Sequence, residues 1–137
     1  MDESVAAHAQ AGADLDRSRL SGPALRAFLR IADLWGLSVD QQMILLGVTA
    51  RSTFFKWRKS GSALPKDTLE RISYCLGIYR ALQVLLPDEA AADAWVKRPN
   101  AAYPFGGASA LDRMLSGQVA DLYVVRQYLD AQTGGDA

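Results

Sequence analysis

Residues 37–61, LSVDQQMILLGVTARSTFFKWRKSG, leave the backbone few choices. Ser38 with Gln41 three positions later is a capping box, which opens a helix by satisfying two of its otherwise unpaired N–H groups. Gly47 closes that helix, because glycine takes the left-handed cap conformation without a Cβ clash. Thr49 is placed to cap a second helix carrying Arg51, Ser52, Thr53, Lys56, Arg58 and Lys59. Two short helices joined by a tight glycine turn, the second basic, form the outline of a helix-turn-helix.

That outline gives the second helix two faces. Phe54 and Trp57, three apart, turn inward toward Met43 and Leu46 of the preceding helix. Arg51, Ser52 and Lys56 then face outward on the side where helix-turn-helix proteins reach base edges. Arg51 is suited to guanine O6 and N7, and Ser52 or Thr53 to a base or a phosphate. Arg58, Lys59 and Lys66 are suited to phosphates, which supply affinity without sequence preference. Thr49, at the helix start, completes the candidate DNA-contacting set. Phe55, between Phe54 and Lys56, is either exposed or packs against another subunit or the chain's own C-terminal half, and core packing is the favoured reading.

Net charge alone would not point to DNA, since 15 Lys/Arg balance 15 Asp/Glu. The charge is unevenly placed: residues 51–80 carry +5, residues 1–50 carry −2 and residues 81–137 carry −3. A basic middle between acidic flanks suits a nucleic-acid module with a different partner elsewhere.

The remaining pattern is helical throughout. Residues 1–20 are rich in Ala, Asp and Gly without periodicity and are expected to be disordered. A helix is expected to open at Ser21-Gly22-Pro23, with Leu25, Phe28, Leu29, Ala32 and Trp35 on one face. Pro65 starts another, whose stripe of Leu69, Ile72, Leu76, Tyr79 and Leu82 runs to Leu86, with Gly77 marking a close helix crossing. Pro87 ends it, and a further helix is expected over 88–96. Residues 97–107, KRPNAAYPFGG, form the one long irregular stretch, with Trp95 before it as a core anchor. A short helix capped at Ser109 and ending at Gly117 comes next, then an amphipathic helix over 118–132. No repeat or strand is evident. The fold class is all-α, organised as an arm (1–20), a helix-turn-helix domain (21–86) and a C-terminal helical domain (87–137).

Several function classes are excluded on chemistry. An enzyme needs a nucleophile with its base, a carboxylate pair or a metal cluster. His8 and Cys75 are the single histidine and cysteine, which leaves no transition-metal site of the usual kind. Gly106-Gly107 lacks the Lys-Ser/Thr of a phosphate loop. No catalytic residue, metal or cofactor is expected. One cysteine excludes an internal disulfide and fits a reducing compartment. No apolar run reaches the ~18 residues of a membrane span, and the acidic N-terminus lacks the apolar core of a secretory signal. A cytoplasmic protein is expected.

The segments GVTARSTFFKWRKSG, RISYCLGIYRALQVL and AADAWVKRPNAAYPFGGASALDRMLSGQVADLYVVRQYLDA, in this order, resemble the Xre/MbcA/ParS antitoxin family, whose members neutralise RES-domain toxins. The last segment carries the most specific likeness, in Trp95, Pro99-Asn100, Gly106-Gly107, Leu111-Asp112, Gly117 and Tyr128-Leu129. The resemblance covers about residues 22–133. It implies a Cro/Xre-type DNA-binding domain joined to a C-terminal toxin-binding domain that covers the entrance to the toxin's NAD-binding active site. It further implies a toxin that degrades or transfers NAD, a homodimeric antitoxin, and binding to the operon's own promoter. Carried onto this chain, Arg51, Ser52, Thr53 and Lys56 read DNA. The last helix, around Tyr123, Arg126, Gln127 and Asp130, meets the toxin together with the C-terminal tail, whose acidity suits a basic nucleotide pocket. The chain departs from the family pattern at Ala50, which lengthens the turn by one residue, and at Gln42 and Met43. Two other readings stand beside this one. The first is a stand-alone helix-turn-helix repressor with a dimerising or ligand-sensing C-terminal domain. The second is an adaptor that only sequesters a protein.

Overall fold

The computed structural model describes residues 3–61 and 63–134, with side chains from residue 17 onward. Among the described residues seven α-helices follow one another: α1 Glu3–Leu34, α2 Val39–Leu46, α3 Arg51–Ser60, α4 Lys66–Leu85, α5 Glu89–Ala94, α6 Ala110–Met114 and α7 Val119–Gln132. A single 3-10 turn, Trp95–Lys97, extends α5. Among the described residues the only β pairing is an isolated antiparallel bridge between Pro99 and Ser109. No described helix is long and apolar enough to cross a membrane.

The fold is organised around α4, which packs against α1 and α2 on the N-terminal side and α5 and α7 on the C-terminal side. Its buried residues Ile72, Cys75, Ile78 and Leu82 share one apolar cluster with Phe28, Ala32 and Trp35 of α1, Leu45 and Leu46 of α2, Phe54 and Trp57 of α3, and Leu122, Val125 and Leu129 of α7. Burying such side chains removes apolar surface from water at about 25 cal/mol per Å². One core therefore serves both halves. Full burial pushes the Cys75 thiol up to about 12, because an apolar surround penalises the thiolate.

Two buried hydroxyls close joints between the helices. Thr68 Oγ1 donates to the Leu46 carbonyl at 2.9 Å, closing the end of α2. Ser21 Oγ accepts from the Leu64 N–H at 2.8 Å, pinning the α3–α4 connection onto α1.

Two expectations need correction. The first helix does not open at Pro23: its backbone is helical from Glu3, with Pro23 inside it. A proline in a helix interior forfeits one backbone hydrogen bond. The alanines upstream have high helix propensity, and the helix carries through. Residues 3–20, read as a disordered arm, therefore have helical backbone. The 88–96 helix is shorter than expected, since α5 stops at Ala94 and tightens into the 3-10 turn ahead of Pro99. Residues 135–137, the end of the acidic tail, lie outside the described residues.

Candidate DNA-binding and partner-binding faces

The N-terminal face is built by α2, the turn and α3. The capping box at Ser38 is complete: Gln41 N–H donates to Ser38 Oγ at 3.1 Å and Ser38 N–H to Gln41 Oε1 at 2.9 Å. Gly47 holds φ 74°, and its N–H reaches back to the Ile44 carbonyl. A Cβ at Gly47 would also stand 2.8 Å from the Arg71 side chain. The turn thus demands glycine twice over, by conformation and by space.

Thr49 does not cap α3. Ala50 occupies the cap position and offers no side-chain hydrogen bond, while Thr49 is exposed. The extra turn residue shifts the helix start by one. Phe54 and Trp57 are buried as the spacing requires, and Arg51, Ser52, Lys56, Arg58 and Lys59 are exposed, with Thr53 half-buried. Arg51 is not free in solution: its Nη2 lies 2.9 Å from Asp40 Oδ1 on α2.

Phe55 takes the exposed alternative rather than the favoured core packing. Its side chain is 44% exposed. The ring meets the Phe54 ring edge-on at 5.2 Å, and the Arg58 guanidinium carbon lies 5.8 Å from both centroids. Sequence reasoning also missed Arg26 and Arg30 of α1, which line one shallow depression together with Arg58 and Asp33. Their four-residue spacing opposite the apolar stripe was the available signal.

The C-terminal face is built by α7 and the 98–109 loop. Tyr123 and Gln127 are exposed and joined, Gln127 Nε2 donating to Tyr123 Oη at 2.9 Å. The Tyr123 ring also leans edge-on against Tyr74 of α4 at 5.8 Å. Arg126 and Asp130 are engaged within the chain. Arg126 Nε pairs with Asp130 Oδ2 at 3.3 Å, and Nη1 donates to the Ser73 carbonyl at 3.5 Å. The guanidinium lies over Gly77, where an added Cβ would come within 2.1 Å of it. Gly77 therefore marks a close crossing, and the group that crosses it is Arg126.

The irregular stretch is a closed loop. Asn100 N–H donates to the Ala108 carbonyl at 3.0 Å and Gly107 N–H to the Asn100 carbonyl at 2.8 Å. Arg113 braces it from inside, Nη1 on the Pro104 carbonyl at 3.1 Å and Nε on Asp121 at 3.0 Å. The Ser116 hydroxyl, 2.6 Å from Asp121, and the Arg113 guanidinium together hold the Asp121 carboxyl below the usual carboxylate range. Trp95, Phe105 and Tyr128 lock the loop to α7: Trp95 stacks on Tyr128 at 6.3 Å, and Phe105 meets both edge-on. Trp95 is thus half-buried as an anchor. Tyr103, at the loop tip, is 92% exposed and was not singled out from sequence.

One residue joins the two faces. Arg71 of α4 bonds Asp67 at 2.9 Å, the Ile44 carbonyl at the end of α2 at 3.4 Å, and the Gly117 carbonyl ahead of α7 at 3.0 Å. No described group of three or more His, Cys, Asp or Glu is arranged to hold a metal ion.

Comparison with known families is consistent with this two-faced architecture. Residues 14–77 match the model of the antitoxin Xre-like helix-turn-helix domain. Residues 81–135 match the antitoxin Xre/MbcA/ParS C-terminal toxin-binding domain. The seam between the two matches falls inside α4. The chain is also 60% identical over 111 residues to the uncharacterized protein y4oB of Sinorhizobium fredii (strain NBRC 101917 / NGR234), covering 81% of this chain and 84% of that one.

Proposed function

The chain belongs to the Xre-type antitoxin family, with a helix-turn-helix domain and a toxin-binding domain, and from that premise we propose that it neutralises a RES-domain toxin encoded beside it. The toxin consumes NAD, and the antitoxin covers its active site. As a homodimer in the cytoplasm, the antitoxin also represses its own operon by binding promoter DNA. Residues 21–86 carry the DNA role and 87–137 the toxin role, meeting just after the end of α4 at Leu85.

The observation that carries the reading is the pair of faces on one core. A basic helix exposes Arg51, Ser52, Lys56 and Lys59, and α7 separately exposes Tyr123 and Gln127. Exposed cations next to a helix-turn-helix suit phosphates, and tyrosine is enriched among interface anchors. Arg58 supports the DNA face by a different route, since its guanidinium is placed against Phe54 and Phe55. Arg126 and Asp130 contribute to the toxin face by fixing α7 on α4, and Tyr123 and Gln127 make the contact.

The test is a gel shift with a duplex of the DNA upstream of the operon, with and without the neighbouring gene's product. Wild type is expected to shift the duplex, and to carry the toxin into a larger complex. Lys56→Ala should weaken the shift and flatten its salt dependence. Failure to shift that duplex above a random sequence would refute autorepression. Failure to form the larger complex would refute the partner.

A further inference from the structure

Phe55 is a large apolar side chain left 44% exposed in the middle of the most basic helix. It shares one strip of α3 with Arg51, four residues before it, and Lys59, four after, positions that neighbour one another on a helix surface. The ring does not dangle. Phe54 supports it edge-on at 5.2 Å, and the Arg58 guanidinium rests 5.8 Å from its centroid, which fixes its direction before anything binds.

The charges around the ring decide what can cover it. A second copy of this chain would set Arg51, Lys56 and Lys59 against their own equivalents, and like charges at close range oppose such contact. A DNA major groove reverses the sign, offering phosphates to the cations. The apolar feature of its base edges is the thymine 5-methyl group.

We propose that Phe55 is a specificity-determining residue of the DNA-binding face, packing its exposed ring on the 5-methyl group of a thymine in the major groove. The inference rests on the DNA-binding reading above. It makes Phe55 the apolar complement to Arg51: one selects a methyl, the other a hydrogen-bonding edge.

Deoxyuridine lacks the methyl and keeps every pairing and hydrogen-bonding group, so it isolates this contact. The probe is a duplex of the upstream DNA in which thymines are replaced singly by deoxyuridine. Wild type should lose about fourfold in affinity at one or two thymine positions, the value of burying one methyl. Phe55→Ala should bind the unmodified duplex more weakly and be indifferent to the replacement. Phe55→Leu, which keeps an apolar side chain, should retain part of the sensitivity and serves if the alanine variant folds poorly.

If wild type binds with salt dependence flattened by Lys56→Ala, yet no deoxyuridine position weakens it, the Phe55 inference is overturned and the DNA reading stands. Full deoxyuridine sensitivity in Phe55→Ala or Phe55→Leu would overturn it in the same way. If wild type does not prefer the upstream duplex at all, the DNA reading itself fails and this inference with it.

Discussion

Asp40 is an acid on a face otherwise suited to phosphates, and its carboxylate holds Arg51 Nη2 at 2.9 Å with both side chains largely exposed. Exposed pairs of this kind contribute ~0–1 kcal/mol to stability, so their consequence lies in binding. Asp40 holds the Arg51 guanidinium against α2, and its own charge repels a nearby phosphate. Asp40→Asn is expected to leave the fold intact, raise affinity for random DNA, and steepen the salt dependence by roughly one counterion. A salt titration on random and upstream duplexes checks this; unchanged slopes would mean that Asp40 does not face the DNA. Cys75 gives a second residue-scale prediction. Its folded pKa is raised, so the buried neutral thiol contributes stability that is complete below the unfolded value of ~8.5 and is lost as pH rises toward about 12. Native protein should resist alkylation at neutral pH, and its unfolding midpoint should fall in alkaline buffer. The inertness of Cys75 was legible, because the apolar stripe around it is long. The exposure of Phe55 was not, since a single position in a helix cannot say which of its faces another element will cover.

At the scale of elements, both halves of the molecule depend on α4. Element starts and stops were largely readable: Pro65, Pro87, the Ser38 capping box, the glycine turn and the cap at Ser109 are local signals that occur in the structure as expected, although the helix after Ser109 ends at Met114 rather than at Gly117. The start of α1 was misread because a proline marks a helix N-terminus only as a preference, and alanine-rich sequence upstream lets the helix continue. The partners of Arg71 and Arg126 were unreadable for another reason: hydrogen bonds spanning tens of residues depend on how helices cross. Arg71 bonds carbonyls from both sides of α4, and its side chain is only 12% exposed. Arg71→Met should therefore cost about 2 kcal/mol, the scale of losing hydrogen bonds from a charged group. The measurement is a denaturant midpoint, lower than wild type at unchanged slope. An unchanged midpoint would mean that Arg71 does not join the two halves. Arg126→Ala bears on packing in the same way, because it uncovers Gly77.

Over the whole molecule, one core supports two surfaces of different chemistry. The exposed basic face proposed for DNA was legible because charge, spacing and a glycine turn coincide within 25 residues of sequence. The α7 surface proposed for the toxin was singled out only through resemblance. Of the four residues carried over, Tyr123 and Gln127 face outward, while Arg126 and Asp130 pair with each other. Neutralisation should accordingly depend on the outward pair. The most direct measurement is cellular NAD after inducing the neighbouring gene, alone and with this chain. NAD should collapse with the neighbour alone and hold when wild-type chain is co-expressed. A Tyr123→Asp, Gln127→Asp double variant that folds and still binds upstream DNA should fail to protect. If NAD never falls, or falls equally with the wild-type chain present, the central claim is contradicted.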